Sequence, residues 1–194
     1  MKALGLLMTL MMLAPPAQDR EWVRGWEHAQ AAKPSRVGSV ARIAPEAEPG
    51  TPLVINGRVY QADGRTPAGA GIIVFAYQTD ARGHYDVPSA GPHSWRLKGW
   101  AATNAEGRFT FNTIRPASYP NATVPQHVHL TIEGPNLQRR WTTELEFADD
   151  PKMTERARTE SQRAGMFGGV RPVVRRDGVD RVEINLRIEN RGLF

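Results

Sequence analysis

No cysteine occurs anywhere in the 194 residues. That absence excludes disulfides, thiolate nucleophiles, Cys-ligated zinc and iron–sulfur clusters together. Any metal has to be held by His, Tyr, Asp or Glu. Long hydrophobic runs are also scarce. The one extended stretch is Ala3–Ala14, and it falls short of the roughly 20 apolar residues that a membrane-spanning helix needs. No stable membrane anchor is expected. Internal repeats are absent. No nucleic-acid-binding motif is present, so nucleic acid is not expected as a partner.

Hydrophobic residues make up 40% of the chain and charged residues 23%. That permits a real core and argues against wholesale disorder. The 18 Gly and 15 Pro suit short strands and turns better than long helices. The net charge of +5 is compatible with anionic small molecules but says nothing about fold.

Three segments follow from the pattern. Met1–Ala17 has a positive start at Lys2, an apolar run, and then small residues and prolines. This reads as a secretory signal peptide, which implies export to the periplasm or the exterior. Residues 18–52 read as an extended lead-in, punctuated by Pro34, Pro45, Pro49 and Pro52. Trp22 and Trp26 could anchor it, or could form one face of a short helix around Arg20–Ala31. Residues 53–194 read as the folded domain.

Within that domain the rhythm is that of strands. Leu53–Tyr60, Ile72–Gln78, Arg108–Asn112, Val128–Glu133, Trp141–Phe147 and Arg181–Ile188 are short and rich in β-branched or aromatic residues. Asp63-Gly64, Arg82-Gly83, Glu106-Gly107, Gly134-Pro135 and Asp177-Gly178 mark turns between them. Val182, Ile184, Leu186 and Ile188 alternate with polar residues, so that strand has one buried face. The expected fold is all-β, an antiparallel β-sandwich of immunoglobulin- or prealbumin-like type. The charged stretch Asp150–Ala164 predicts a short helical or irregular excursion near 150–170. Basic residues between Arg156 and Arg181 read as a solvated face.

Chemistry concentrates in Pro116–Leu130. His127 and His129 lie two apart on a strand, so both imidazoles point to one face. Val128, Leu130 and Ile132 then point to the core. Such a pair can offer two nitrogen ligands to one ion, although the pattern alone is a weak signal. Tyr119 sits in a turn bracketed by Pro116 and Pro120, from which its phenol could reach the histidines or simply pack in a corner. Tyr85 follows the turn Thr79–Gly83 and is open to the same two readings. His84, His93, Trp95 and Lys98 could line the mouth of a site.

Taken together, residues 52–150 resemble the intradiol ring-cleavage dioxygenases of the catechol and protocatechuate type. The resemblance rests on an ordered set: Val54–Tyr60 with Asp63-Gly64, then Val74–Asp80 with Gly83-His84-Tyr85. Next come Thr103–Phe109, Thr113-Ile114-Arg115-Pro116 with Tyr119-Pro120, and Pro125-Gln126-His127-Val128-His129. The leader is similar to that of a secreted branch.

The resemblance implies ferric iron, Fe(III), held by Tyr85, Tyr119, His127 and His129. Phenolate and imidazole suit a hard, highly charged ion, and no thiolate competes. It further implies a small aromatic diol and O2 as substrates, with cleavage to a muconate-type dicarboxylate. Tyr119 would be the ligand that yields to substrate and takes up a proton. Two positions depart from the family. Val124 stands where an Arg is usual, and Glu144 where a Gln is common. Both departures bear on rate, substrate and turnover. Glu144 joins Tyr119 as a catalytic candidate, while His84 and Val124 are pocket candidates. The alternative reading is a non-catalytic secreted sandwich that binds a metal, a phenolic ligand, a carbohydrate or a protein partner.

Overall fold

Alternating burial organises the chain into two facing sheets. The computed structural model describes residues 20–86 and 95–189. The leader expected at Met1–Ala17 and the side chain of His93 lie outside the described residues. In chain order the elements are α1 (Arg20–Ala31), β1 (Val40–Arg42), β2 (Pro52–Tyr60), β3 (Ile73–Gln78), β4 (Leu97–Ala102) and β5 (Arg108–Ile114). Then follow β6 (His127–Gly134), β7 (Leu137–Trp141), β8 (Leu145–Phe147), α2 (Glu155–Ala164), β9 (Val170–Arg171), β10 (Val174–Arg176) and β11 (Val179–Arg187).

One sheet has the strand order β1-β5-β2-β11-β10. The other runs β4-β3-β6-β8-β9, with β7 pairing to β6 beside β8. The β-sandwich expected from the sequence is present. Most pairings are antiparallel, while β1–β5, β2–β11 and β8–β9 are parallel.

The core lies between the sheets. Leu53, Ile55 and Val59 of β2 face inward, as do Phe109 and Phe111 of β5 and Val182, Ile184 and Leu186 of β11. From the opposite sheet come Val74, Ala76, Val128, Leu130, Ile132, Leu145 and Phe147. Burying such side chains is worth about 1.5–3 kcal/mol each. A β-carbon at Gly57 would lie 2.0 Å from the Phe109 ring, so the bare backbone there is what admits the phenylalanine.

Three departures from the expected strands have local causes. Trp141–Phe147 is not one strand. The Thr142 amide and hydroxyl both donate to the Leu130 carbonyl, at 3.1 and 3.0 Å, and the chain breaks before β8 starts at Leu145. β4 is an additional strand whose sequence, LKGWAA, has little alternation, because four of its six residues are buried. β1, β9 and β10 have only two or three residues each, too few to show a period. The charged excursion forms α2, capped by the Thr154 hydroxyl, which accepts from the Ala157 amide. None of its residues is buried.

The 18–52 segment contributes two elements. β1 extends the first sheet, and α1 lies on the outer face of the second. Trp26 and Ala29 of α1 are buried there, against Phe75, Tyr77, Trp95 and Trp100. Trp26 meets Phe75 edge-on at 5.1 Å and Trp95 at 5.4 Å. Lys33, just past α1, pairs with Glu133 of β6 at 2.8 Å.

Candidate metal centre

β6 places both histidines. Val128 and Leu130 are fully buried in the core, so His127 and His129, which alternate with them, point to the outer face. In the ladders, Tyr77 of β3 stands opposite His129, and Glu146 of β8 stands opposite His127. Leu145 and Phe147 are buried, which sends Glu144 and Glu146 outward as the alternation predicts.

Two loops bring the tyrosines. The turn after β3 is tied by Asp80, whose carboxylate accepts from the Arg82 and His84 amides at 2.8 and 3.0 Å. Gly83 completes it with a positive φ of 87°. A β-carbon at Gly83 would lie 2.1 Å from the Ser118 carbonyl oxygen. Only glycine lets the Tyr85 turn press against the Tyr119 loop so closely. The Ala117 amide donates to the Asp80 carbonyl at 3.0 Å, and the Thr79 hydroxyl to the Ala117 carbonyl at 2.6 Å. The two loops are thereby joined before either phenol reaches the histidines.

Four polar atoms converge as a result. Tyr85 Oη lies 2.5 Å from Tyr119 Oη and 2.8 Å from His129 Nε2. Tyr119 Oη lies 2.9 Å from His127 Nε2 and 3.5 Å from His129 Nε2. The two Nε2 atoms are 3.1 Å apart. Four donors tetrahedrally arranged at about 2.0 Å from one ion would sit about 3.3 Å from one another. The set therefore fits a single metal in spacing, and its oxygen and nitrogen donors fit a hard or borderline one.

The surroundings fix the rings. His127 Nδ1 lies 2.8 Å from the Pro125 carbonyl, which as an acceptor holds the proton on Nδ1 and leaves Nε2 with its lone pair. Burial pushes the His127 pKa down, which keeps the ring neutral. His129 stacks on Tyr77, ring centroids 4.5 Å apart. Its Nδ1 is 2.7 Å from Glu144 Oε1, a close electrostatic contact that is off the line of a hydrogen bond. Burial alone would raise the Glu144 carboxyl, but His129 outweighs it and holds it below the usual carboxylate range. Burial raises both Tyr85 and Tyr119, and the bond to Tyr119 raises Tyr85 further. Without a cation both phenols keep their protons.

Among the other sequence candidates, Val124 is exposed at 41%, and the His84 side chain is exposed at the turn. Trp95 does not line a mouth. It is buried and stacks on Tyr77 at 4.5 Å. Residues not singled out by sequence reasoning hold the histidine strand. Asp150, buried, accepts from the Gln126 amide at 2.6 Å and from the Lys152 amide at 2.8 Å. Arg115 donates to Gln126 Oε1 at 2.7 Å and to Asp149 at 2.6 and 2.9 Å. The Asp149-Asp150 pair was the available signal, but it reads equally well as part of a solvated excursion.

A family model described as Dioxygenase matches residues 27–181. The 6-chlorohydroxyquinol 1,2-dioxygenase of Cupriavidus pinatubonensis is 35% identical over 105 residues, covering 46% of this chain and 37% of that protein. The protocatechuate 3,4-dioxygenase beta chain of Burkholderia cepacia is 33% identical over 113 residues, covering 53% of this chain and 47% of that one. The chain thus spans less than half the length of these relatives. Among solved structures, the dioxygenase domain of a dioxygenase–carbohydrate-binding fusion from Streptomyces sp. SirexAA-E superposes with a TM-score of 0.59 at 23% identity, over 80% of this chain and 91% of that one. An intradiol ring-cleavage dioxygenase from Tetranychus urticae gives 0.58 at 17% identity, over 83% and 91%. These two likenesses concern the fold alone. With the family match covering most of the chain and the relatives agreeing on its type, the chain belongs to the intradiol ring-cleavage dioxygenase family.

Proposed function

We propose that the chain is a ferric-iron-dependent intradiol dioxygenase that opens a catechol-type ring with O2 to a muconate-type dicarboxylate. The convergence of two phenol oxygens and two imidazole nitrogens carries this reading. Tyr85, Tyr119, His127 and His129 would hold the ion. Ferric iron would supply Lewis acidity there, chelating both oxygens of the diol and drawing electron density from the ring so that it meets dioxygen directly.

The chain's own residues do the rest. Two ionised phenols lower the net charge that the site must bury. The Pro125 carbonyl keeps the His127 proton on Nδ1, and Tyr77 fixes the plane of His129. Glu144 presents a carboxylate to His129 Nδ1, an outer partner of the kind that orients a ligating imidazole. By the family resemblance Tyr119, rather than Tyr85, would be the ligand that gives way; both tyrosines sit on loops, while both histidines belong to a strand paired on both sides. Tyr119 Oη, as a phenolate, would be the group that takes up a hydroxyl proton of the incoming diol. Val124 brings no positive charge to the ring, so charge developing there has less help than an Arg at that place would give.

The leader pattern of Met1–Ala17 supports action outside the cytoplasm. A non-catalytic sandwich that binds a carbohydrate or a protein partner is not favoured, since it would have no use for four converging donors; turnover separates the dioxygenase from a module that binds only a metal or a phenolic ligand.

The visible spectrum of the iron-reconstituted protein tests the proposal. A tyrosinate-to-iron band should appear, shift on adding catechol under nitrogen, weaken in Tyr85→Phe or Tyr119→Phe, and disappear in the double variant. Admitting oxygen should then consume catechol and yield the ring-opened diacid. A colourless protein that retains no iron would sink the reading, and a coloured one without turnover would make it a binder.

A further inference from the structure

An ion cluster ties the segment between β1 and β2 to the turn that carries Tyr85. The Arg96 guanidinium, just before β4, donates to both carboxylate oxygens of Glu48, at 2.5 and 2.8 Å. A second carboxylate, that of Asp80, lies 3.7 Å from the same guanidinium. The side chains of Glu48 and Asp80 are only 10% and 6% exposed, so the cluster is largely withdrawn from water. A bidentate pair of this kind fixes direction as well as distance. Glu48 stands far from Tyr85 in sequence and outside the set of converging donors.

Arg96 and Asp80 both hold the Tyr85 turn. The Arg96 amide donates to the Tyr85 carbonyl at 3.0 Å. The Asp80 carboxylate accepts from the Arg82 and His84 amides, and its carbonyl accepts from the Gly83 amide at 3.1 Å. The segment that bears Glu48 also touches the turn directly. Gly50 has a φ of 146°, and a β-carbon there would lie 3.4 Å from that of Ala81 and 2.9 Å from Ile114 Cδ1. One residue on, the Thr51 carbonyl accepts from the Arg115 amide at 2.8 Å. Residues 48–51 are thus packed and bonded against the base of both tyrosine loops.

We infer that Glu48 is a positioning residue for the metal centre, acting through Arg96 on the Tyr85 turn and so on the direction of Tyr85 Oη. The inference rests on the metal-centre reading above and adds to it a residue that touches none of the donors. With Glu48 in place, the guanidinium is shared between two carboxylates, and Asp80 keeps its oxygens for the turn amides. With the charge of Glu48 removed, the guanidinium loses its bidentate partner and is drawn toward Asp80. There it competes with the Arg82 and His84 amides. It also pulls on its own main chain, which carries the bond to Tyr85.

The test uses the iron-reconstituted full chain and Glu48→Gln, which keeps the shape of the side chain and removes its charge. The tyrosinate-to-iron band is followed in two backgrounds. In Tyr119→Phe the band comes from Tyr85, and Glu48→Gln should shift or weaken it. In Tyr85→Phe the band comes from Tyr119, and the same substitution should change it less. Iron affinity, read by competition with a chelator, should fall roughly tenfold in Glu48→Gln alone. Glu133→Gln breaks a different partly buried ion cluster, with Lys33 and Arg139, and should leave band and affinity as in the parent. In the metal-free chain the Arg96 amide should exchange its hydrogen faster in Glu48→Gln than in the parent. A Tyr85 band that Glu48→Gln leaves in place, an equal change in both backgrounds, the same change in Glu133→Gln, or unaltered exchange at Arg96 would each overturn the inference while leaving the metal centre standing. A parent chain that binds no iron would bring down both.

Discussion

The outer face of the six-stranded sheet carries two neighbouring regions built from similar residues, and they differ in what covers them. Toward β4, α1 lays Trp26 over Phe75, Tyr77 and Trp95, and the rings pack edge-on or stacked. Toward β8 the neighbouring helix is α2, none of whose residues is buried, and among the described residues no helix covers the sheet in this way. There Tyr85, Tyr119, His127 and His129 turn polar atoms toward one point. Tyr77 forms the boundary, with Trp95 stacked on it at 4.5 Å and His129 at 4.5 Å. Covered aromatics supply stability through buried area, while the uncovered ones turn their polar atoms toward one point. The contrast separates what holds the fold from what presents donor atoms on it.

The comparison can be broken most severely from the covered side. Trp26→Ala removes the ring at the centre of the aromatic cluster, where the residue is 4% exposed. We expect a loss of about 3–5 kcal/mol of stability, measured by urea denaturation. Iron colour should still form in whatever fraction remains folded. Loss of colour in that fraction would show that the two regions are not separable.

A smaller effect is expected from the support behind β6. Asp150→Asn leaves one carbonyl oxygen to serve two amides, those of Gln126 and Lys152. The residue preceding His127 is then less firmly held. Iron affinity should fall roughly 10–100-fold, read by competition with a chelator, with little change in the near-ultraviolet signal of the tryptophans. An unchanged affinity would mean that the ladder alone positions the histidine.

The smallest effect concerns the clasp between α1 and β6. Burial alone would raise the Glu133 carboxyl, but Lys33 and Arg139 together hold it below the usual range. A carboxylate with a depressed native pKa contributes stability that is present above its ordinary value of 4.5 and lost as pH falls through the native one. Glu133→Gln should cost a fraction of a kcal/mol at neutral pH, about what surface pairs give. It should also flatten the acid limb of stability against pH. An acid limb identical to the parent's would remove this pair from the account.

Much of this arrangement was legible in the residues, because alternation in a strand is a strict geometric rule. The placement of His127 and His129 on one face, with Val128 and Leu130 on the other, follows from period two alone. So does the outward direction of Glu144 and Glu146. What the chain order hid was distance. Nothing local in Thr79–Tyr85 or Pro116–Tyr119 shows that the two loops bond to each other. That depends on Asp80, Thr79 and Ala117 exchanging hydrogen bonds over more than thirty positions of sequence. Arg115 and Asp150 were hidden for the same reason. β4 was hidden by its composition, since burial of most of its side chains erases the alternation that would mark it.

The double stack at Tyr77 has an optical consequence. Trp95 lies one ring beyond the tyrosine that touches His129, and Trp141 approaches His129 itself with centroids 6.3 Å apart. These indoles are the chain's own fluorophores, and a coloured centre so near would drain their emission. Under the proposed function, tryptophan emission would thus gauge whether the site is filled, readable in a cuvette without any added dye.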